Sequence, residues 1–291
     1  MYVQLPQRYS LSAHFARRLA ALVLCFTLLS FGLHHLGLVE GEIFVVLLLV
    51  AAVLAFIACF LGIFAALRLW FEGGKGFTNA ITAMFYGLIC LAPLLYFSYG
   101  YLSFPPLNDI STDLDNPPQL LSERANGTSH VYGARQIALQ QQAYPDIVPR
   151  RFRLSARQLS EGALLAAQNN GWRLVLSGRQ DNDEPQTLLD STSFALVEAK
   201  TPVFGFVDEV ALRFTPDPEG ALLDIRSVSR VGSHDLGQNA NRIRRFWKEL
   251  DAVLVEKFGA EYNRAFVPEQ FSPQDAEAVK DAPLPGQKPA S

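Results

Sequence analysis

The chain has 291 residues, a formal net charge of −3 and a sequence pI near 6.0. This length allows one or two domains, and the charge gives neither the basic character of a nucleic-acid-binding protein nor an acidic block. Charged residues are scarce between residues 20 and 101 and frequent after them. We therefore predict a membrane part followed by a soluble domain, with no nucleic-acid partner.

Three long apolar runs fill the first part of the chain, at residues 15–38, 43–69 and 77–101. Each meets the roughly 20 residues that a helix needs to cross about 30 Å of hydrocarbon. The first run is too long for the apolar core of a typical signal peptide, and two more follow it directly. Residues 1–101 are therefore predicted to form an anchor of three transmembrane helices, with the lipid bilayer as partner.

Charges flank these runs asymmetrically. Three arginines precede or begin the first run, and Arg68 and Lys75 lie around the second connection, whereas the first connection carries only Glu40 and Glu42. Because basic residues stay on the cytoplasmic side, this pattern places the N-terminus in the cytoplasm and everything after residue 101 outside it.

All three cysteines, Cys25, Cys59 and Cys90, lie in the apolar runs. A cysteine in such surroundings usually behaves as a small hydrophobe. None is left in the soluble part for a disulfide or a thiolate metal site, and we predict neither a metal nor a cofactor.

Residues 102–150 are predicted to form an extended leader and linker, beginning with the turn-rich sequence SFPPLNDISTDLDNPP at 103–118. Its Asp and Asn side chains could supply oxygen ligands to a hard cation, but the glycine and terminal glutamate of an EF-hand are missing. Turn and capping roles are therefore favoured. A short helix is expected at 133–143, ended by the Tyr144-Pro145 pair.

Residues 151–270 are predicted to be the soluble domain, and the Pro- and Ala-rich residues 271–291 a disordered tail. Strands are expected at 152–154, 172–176 and 188–198. Between the first two, Ser155 and Gln158 have the spacing of a capping box and Asn170-Gly171 supplies a stop, so residues 155–170 are predicted to be a helix.

Two strand-like runs, 203–214 and 221–231, flank a Pro/Gly turn and predict a β-hairpin. We expect Phe214 to lie opposite Ala221, which places Asp208 opposite Ser227 and Glu209 opposite Arg226. This register pairs apolar with apolar residues and opposite charges with each other.

Asp208 shares the core-facing row of its strand, and Ser227 and Ser229 share that of the next. Two interpretations remain open. The carboxylate either accepts hydrogen bonds from these serines or the backbone where the sheet ends, or is a partly buried acid with a raised pKa, suited to proton transfer or ligand binding.

A polar loop at 229–237 leads into an amphipathic helix at 236–258, which Ser233 or Asp235 is expected to cap. Its apolar stripe is predicted to pack on the sheet, and Arg242, Arg244, Arg245 and Lys248 to lie on or beside the solvent face. The stripe consists of Leu236, Ala240, Ile243, Trp247, Leu250 and Leu254. Free backbone N–H groups at the helix start, with Arg230 and Arg242, could hold an anion.

Ser229, His234 and Asp235 contain the residue types of a hydrolase triad. However, no glycines frame either serine of the loop in the manner of a nucleophile elbow. A triad is therefore disfavoured, and no catalytic residue is assigned.

Three blocks of the soluble part resemble the domain-of-unknown-function family 1499: FVDEV at 206–210, DIRSVSRVG at 224–232 and DLGQNA at 235–240, followed by RIRRF at 242–246. The resemblance covers roughly residues 108–258. It implies a bacterial envelope protein, in the membrane-anchored form of some alphaproteobacteria, without an established activity. Glu209 stands where a second aspartate often appears, which weakens a two-carboxylate mechanism.

Together these observations predict an α+β protein: three N-terminal transmembrane helices, then a two-layer domain with a mostly antiparallel sheet covered by helices. We expect it in the bacterial inner membrane with a periplasmic C-terminal domain. The leading hypothesis is a non-enzymatic module for an anionic envelope ligand or a protein partner, and the candidate residues are Asp208, Arg226, Ser227, Ser229, Arg230, Asp235, Asn239 and Arg242. An acid–base enzyme using Asp208 and His234, and a scaffold in a membrane oligomer, are the alternatives.

Overall fold

The computed structural model describes residues 9–179 and 191–265, with side chains described as far as residue 259. It begins with three helices, α1 (Leu11–His35), α2 (Gly41–Glu72) and α3 (Phe77–Ser103). All three are long and apolar enough to cross a membrane, which confirms the three predicted helical runs. They pack through small side chains, which let helix backbones approach closely; one such cluster contains Ala16, Ala20, Ala58 and Ala83.

Short helices and strands make up the C-terminal domain. In chain order they are β1 (Asp109–Ser111), α4 (Leu121–Asn126), α5 (Ala134–Ala143), β2 (Arg150–Phe152), α6 (Ala156–Asn169), β3 (Arg173–Arg179), β4 (Ser193–Lys200), β5 (Val207–Asp217), β6 (Gly220–Ser229) and α7 (Gln238–Ala265). The predicted tail at 271–291 and the first three residues of the strand predicted at 188–198 lie outside the described residues.

The six strands form one antiparallel sheet in the order β1-β6-β5-β4-β3, with β2 also paired to β6. This confirms the α+β class and the antiparallel sheet. Strand β1 lies in the segment expected to be a linker, and it joins the sheet edge beside β6.

One face of the sheet, called here the helix face, is covered by α6 and α7. Apolar side chains of both helices and of the central strands form a continuous core that includes Leu159, Leu212, Ile225 and Ile243. The predicted capping box is confirmed, because Ser155 Oγ accepts from the N–H of Gln158 and Gln158 Oε1 accepts from the N–H of Ser155. Burial of such side chains is the main source of stability for a domain of this size.

The opposite face is called the ionic face and is covered by the segment 112–132. The apolar cluster that the described residues form here is small and lies around Leu120, Leu196 and Ala211. Asp113 has a turn role, as predicted, because its Oδ1 accepts the backbone N–H groups of Asp115 and Asn116 at 3.1 and 2.9 Å.

The predicted hairpin register is wrong by two residues. Asp208 lies opposite Ser229 rather than Ser227, and Phe214 lies opposite Leu223 rather than Ala221. The strands continue through Pro216 to a tight turn between Asp217 and Gly220, so the connection is shorter than the six-residue loop we expected. A shift of two residues keeps every side chain on its predicted face, since strand side chains alternate with period two.

The domain packs directly against the ends of the membrane-type helices. Phe204 and Phe206, between β4 and β5, join Phe44 of α2 and Phe97 of α3 in one apolar cluster. A Cβ added at Gly41 would lie 2.6 Å from Val231, so the backbone of α2 touches this loop closely.

Candidate functional site

The eight predicted site residues divide between the two faces of the sheet. Arg226 points to the ionic face, since it alternates along β6 with Ser227 and Ser229. Arg230 follows the end of β6 and lies on the same side, where it binds Glu198. The other six converge at one end of the helix face: Asp208, Ser227, Ser229, Asp235, Asn239 and Arg242.

Arg226 is buried among carboxylates of the covering segment. Its Nε and Nη2 donate to Asp109 at 3.0 and 2.8 Å, and its two Nη atoms donate to Glu123 at 2.9 and 3.0 Å. The predicted pairing with Glu209 is wrong, because the two-residue register shift moves Glu209 opposite Val228. With every direction of its guanidinium occupied, Arg226 is not open to a ligand.

Arg230 is also engaged, but at the surface. Its Nη2 donates to Glu198 Oε1 at 2.8 Å, and Arg173 binds the other oxygen of the same carboxylate. The two guanidinium groups, that of Arg173 first, lower the pKa of Glu198.

Arg242 forms the centre of a buried polar network on the helix face. The expectation that it lies on or beside the solvent face is wrong, since its guanidinium faces the sheet. It donates to the Asp208 carboxylate, to Asn239 Oδ1 and, at 2.8 Å, to Ser227 Oγ. An ion pair of this kind is retained in an interior only when its remaining hydrogen bonds are satisfied.

Asn239 completes that network. Its Nδ2 donates to Ser229 Oγ at 3.1 Å and to the backbone oxygen of Asn108 at 2.9 Å, and its Oδ1 accepts from Ser227 Oγ at 2.9 Å. Asp208 additionally accepts hydrogen bonds from Ser229 and from the backbone of Arg230, as one of our two interpretations expects. Burial nevertheless raises the pKa of the Asp208 carboxyl, with Arg242 acting in the opposite direction.

Asp235 is the residue that caps α7. Its Oδ1 accepts the N–H of Gly237 and its Oδ2 that of Asn239, both at 2.8 Å. The anion at this helix start is therefore a carboxylate of the chain itself. Leu236 precedes the helix in a left-handed conformation (φ 55°), so its place in the predicted stripe is wrong, whereas the other five stripe residues are buried. Burial raises the pKa of the Asp235 carboxyl.

His234 uses both ring nitrogens for structural hydrogen bonds. Nδ1 accepts the N–H of Leu236 at 2.9 Å, which leaves Nε2 as the donor to the backbone oxygen of Phe104 at 3.1 Å. A ring held in this way has no free lone pair to act as a base toward Ser229 or Asp208.

A cavity of about 800 Å³ opens where the C-terminal domain meets α2 and α3. We call it the junction cavity. One part of its wall is apolar, with Leu48, Leu49, Leu94, Phe97 and Phe206, and the other carries Asp208, Ser229, Ser233, His234, Asp235 and Gln238. Leu49 and Leu94 are 51% and 37% exposed on their helices, so the opening faces sideways from the helix bundle.

Residues 109–250 match the model of the family described as Protein of unknown function (DUF1499). This part of the chain is a DUF1499 domain. The match confirms the resemblance predicted from the three sequence blocks. No curated protein and no solved structure matches the chain.

Within the DUF1499 domain, the three sequence blocks meet beside the junction cavity. Asp208 comes from the first block, Ser229 from the second and Asp235 from the third, and all three line its wall. Sequence reasoning did not find the helix half of this wall, which includes Leu48, Leu49 and Leu94. Nothing in the apolar runs distinguishes these leucines from their neighbours, since only the fold shows which of them face the domain.

Proposed function

We propose that this chain is a non-enzymatic, membrane-anchored module that binds an amphiphilic molecule of the bilayer in the junction cavity. One observation carries the proposal: a single cavity joins apolar residues of α2 and α3 to the polar wall of the DUF1499 domain. Its volume lies within the roughly 300–1,000 Å³ of ordinary ligand sites.

The position of the opening supports a ligand that arrives from the lipid phase. Leu94 lies nine residues before the end of α3 at Ser103, a depth of about 14 Å along a helix that rises 1.5 Å per residue. An apolar chain in the bilayer could therefore enter between α2 and α3 without crossing water, with its polar end near Asp208 and Ser229.

The orientation belongs to the same proposal. The distribution of Lys and Arg supports a cytoplasmic N-terminus and a periplasmic DUF1499 domain in a bacterial inner membrane. The polar wall of the junction cavity then lies at the head-group level of the outer leaflet, where an amphiphile changes from apolar to polar.

The contacts guide the choice among the other hypotheses. Arg226 is enclosed by Asp109 and Glu123, and Asp235 occupies the start of α7, so the geometry gives no support to an anion at either place. An acid–base enzyme gains no support either, because His234 is fixed by two hydrogen bonds. A membrane scaffold stays a prediction that crosslinking in membranes would test.

The proposal is tested with the full chain in lipid nanodiscs that contain a phospholipid with a photoactivatable diazirine at its chain end. The lipid will label every helix that faces the bilayer. Lipid in the cavity should in addition label the domain peptide around Val203 and Phe206, since both residues line the cavity. Leu49→Trp at the opening should remove the label from that peptide.

Val46→Trp is the matched control, because Val46 lies on the same helix, is 57% exposed and does not line the cavity. It should leave the label unchanged. Label confined to outward-facing helix residues, or equal domain labelling in both tryptophan variants, would show that no lipid occupies the cavity.

A further inference from the structure

The polar wall of the junction cavity has a one-sided charge. Among the described residues, no Lys or Arg lines the cavity, whereas two carboxylates, Asp208 and Asp235, do. Arg242 compensates Asp208 from behind the wall. Within the described residues, Asp235 accepts hydrogen bonds from the backbone N–H groups of Gly237 and Asn239, and Arg242 acts on its charge without forming an ion pair with it.

His234 uses both ring nitrogens within the chain, Nδ1 with the N–H of Leu236 and Nε2 with the backbone oxygen of Phe104. The remaining groups are neutral, and the hydroxyls of Ser233 and Tyr101 have no hydrogen bond within the described residues. These hydroxyls and the side chain of Gln238 offer donors and acceptors to a head group that can do both.

We infer that the junction cavity selects a lipid with an uncharged, hydroxyl-bearing head, the class represented by diacylglycerol, and excludes lipids with a phosphate head. The inference rests on the proposed function. Its basis is that an anionic head group would meet the carboxylates of Asp208 and Asp235, while no Lys or Arg among the described residues lines the cavity to pair with it. Like charges repel more strongly where little water screens them. We expect this repulsion to lower the occupancy of the cavity by an anionic lipid about tenfold or more.

The experiment compares diacylglycerol and phosphatidic acid that carry the same photoactivatable chain, at equal mole fraction in nanodiscs with the full chain. Label on the peptide around Val203 and Phe206 measures occupancy of the cavity. We expect diacylglycerol to label this peptide about tenfold more than phosphatidic acid.

Two variants test the role of charge. Asp235→Asn keeps one of the two capping oxygens and removes the negative charge, so the preference should fall several-fold. Ser233→Lys places a cation at the cavity wall and should raise labelling by phosphatidic acid. Because Ser233 lies in an exposed loop, the change should leave the stability of the domain unaltered. Glu256→Gln removes a charge from α7 outside the cavity lining and should leave the preference unchanged.

The outcomes separate the two proposals. Equal or stronger labelling of the domain peptide by phosphatidic acid overturns the head-group inference but leaves lipid binding intact. A preference that neither Asp235→Asn nor Ser233→Lys alters also overturns it. Label absent from the peptide with both lipids overturns the proposed function itself.

Discussion

The helix face and the ionic face close the same sheet by different means. On the helix face, α6 and α7 supply a thick apolar layer, and its buried ion pair is that of Arg242 with Asp208. On the ionic face, the thin segment 112–132 supplies little apolar area. There Arg213 and Arg226 each bind two carboxylates, Asp113 with Asp224 and Asp109 with Glu123.

Polar residues therefore have different roles on the two faces. Charged networks under a thin cover replace a second hydrophobic core and fix the covering segment in place. The network on the helix face lies at the end of an already large core and borders a cavity. We therefore expect the ionic face to matter for stability alone and the helix face to matter also for binding.

Among the variants considered, Arg226→Met should destabilise the chain most. Removing this side chain leaves the carboxylates of Asp109 and Glu123 without their partner, and breaking a buried ion pair costs about 3–5 kcal/mol. The free energy of unfolding of the detergent-solubilised chain measures the loss. A loss below about 1 kcal/mol would mean that the ionic face does not hold the segment in place.

Arg242→Met should cost somewhat less, at the lower end of the same range of about 3–5 kcal/mol, because one carboxylate rather than two is left unpaired. Combining it with Asp208→Asn should restore part of the loss, with a coupling on the order of 1–3 kcal/mol in a double-mutant cycle. Arg242→Met alone should also lower lipid labelling of the peptide around Val203 and Phe206. Arg226→Lys, a change on the ionic face, should leave this labelling unchanged in the folded chain. If the losses of unfolding free energy from Arg242→Met and Asp208→Asn simply add, the two side chains are not coupled.

Ser155→Ala tests a local contribution on the helix face. The variant removes the hydroxyl that accepts the N–H of Gln158 and should cost about 1 kcal/mol. Ser155→Asp, which retains a capping oxygen, is the control and should stay near the wild-type unfolding free energy. An equal loss in both variants would assign the effect to something other than the cap.

The smallest expected effect is a pH dependence on the ionic face. Arg173 and Arg230 lower the pKa of Glu198 in the folded chain, so this group contributes stability that is fully present above its unfolded pKa. That contribution is lost as the pH falls through the lowered pKa of the folded state. Glu198→Gln should therefore flatten the acid side of the stability profile relative to that of the wild-type chain. If the pH profiles of unfolding free energy for the wild type and Glu198→Gln run parallel, Glu198 is not stabilised by Arg173 and Arg230.

Much of the fold follows from local patterns. The three long helices are visible as apolar runs, and α6 is delimited by Ser155 and Asn170. Strand faces are also predictable, because alternation assigns Asp208 to the core side. The register was missed because the Asp217–Gly220 turn is tighter than expected, and apolar pairing alone accepts a shift of two residues.

The candidate site was predictable only in part. Five of its six residues on the helix face could be grouped from the order of the sequence blocks, namely Asp208, Ser227, Ser229, Asp235 and Asn239. The partners of Arg226 could not be predicted from the sequence, since Asp109 lies 117 residues away and shares no periodic pattern with it. The same reasoning misplaced Arg242, whose position beside an apolar stripe gave no sign of the buried carboxylate that it meets.

The pairing of β1 with β6 has a consequence for how the chain folds during synthesis. Residues 109–111 leave the ribosome early, but their strand partners at 226–228 follow more than one hundred residues later. Contacts this far apart form slowly, because the intervening chain must first be ordered. The segment that directly follows α3 therefore stays unpaired beside the three apolar helices until β6 has been synthesised. Strand β6, the last strand to be synthesised, is therefore the one that joins β1 to the rest of the sheet.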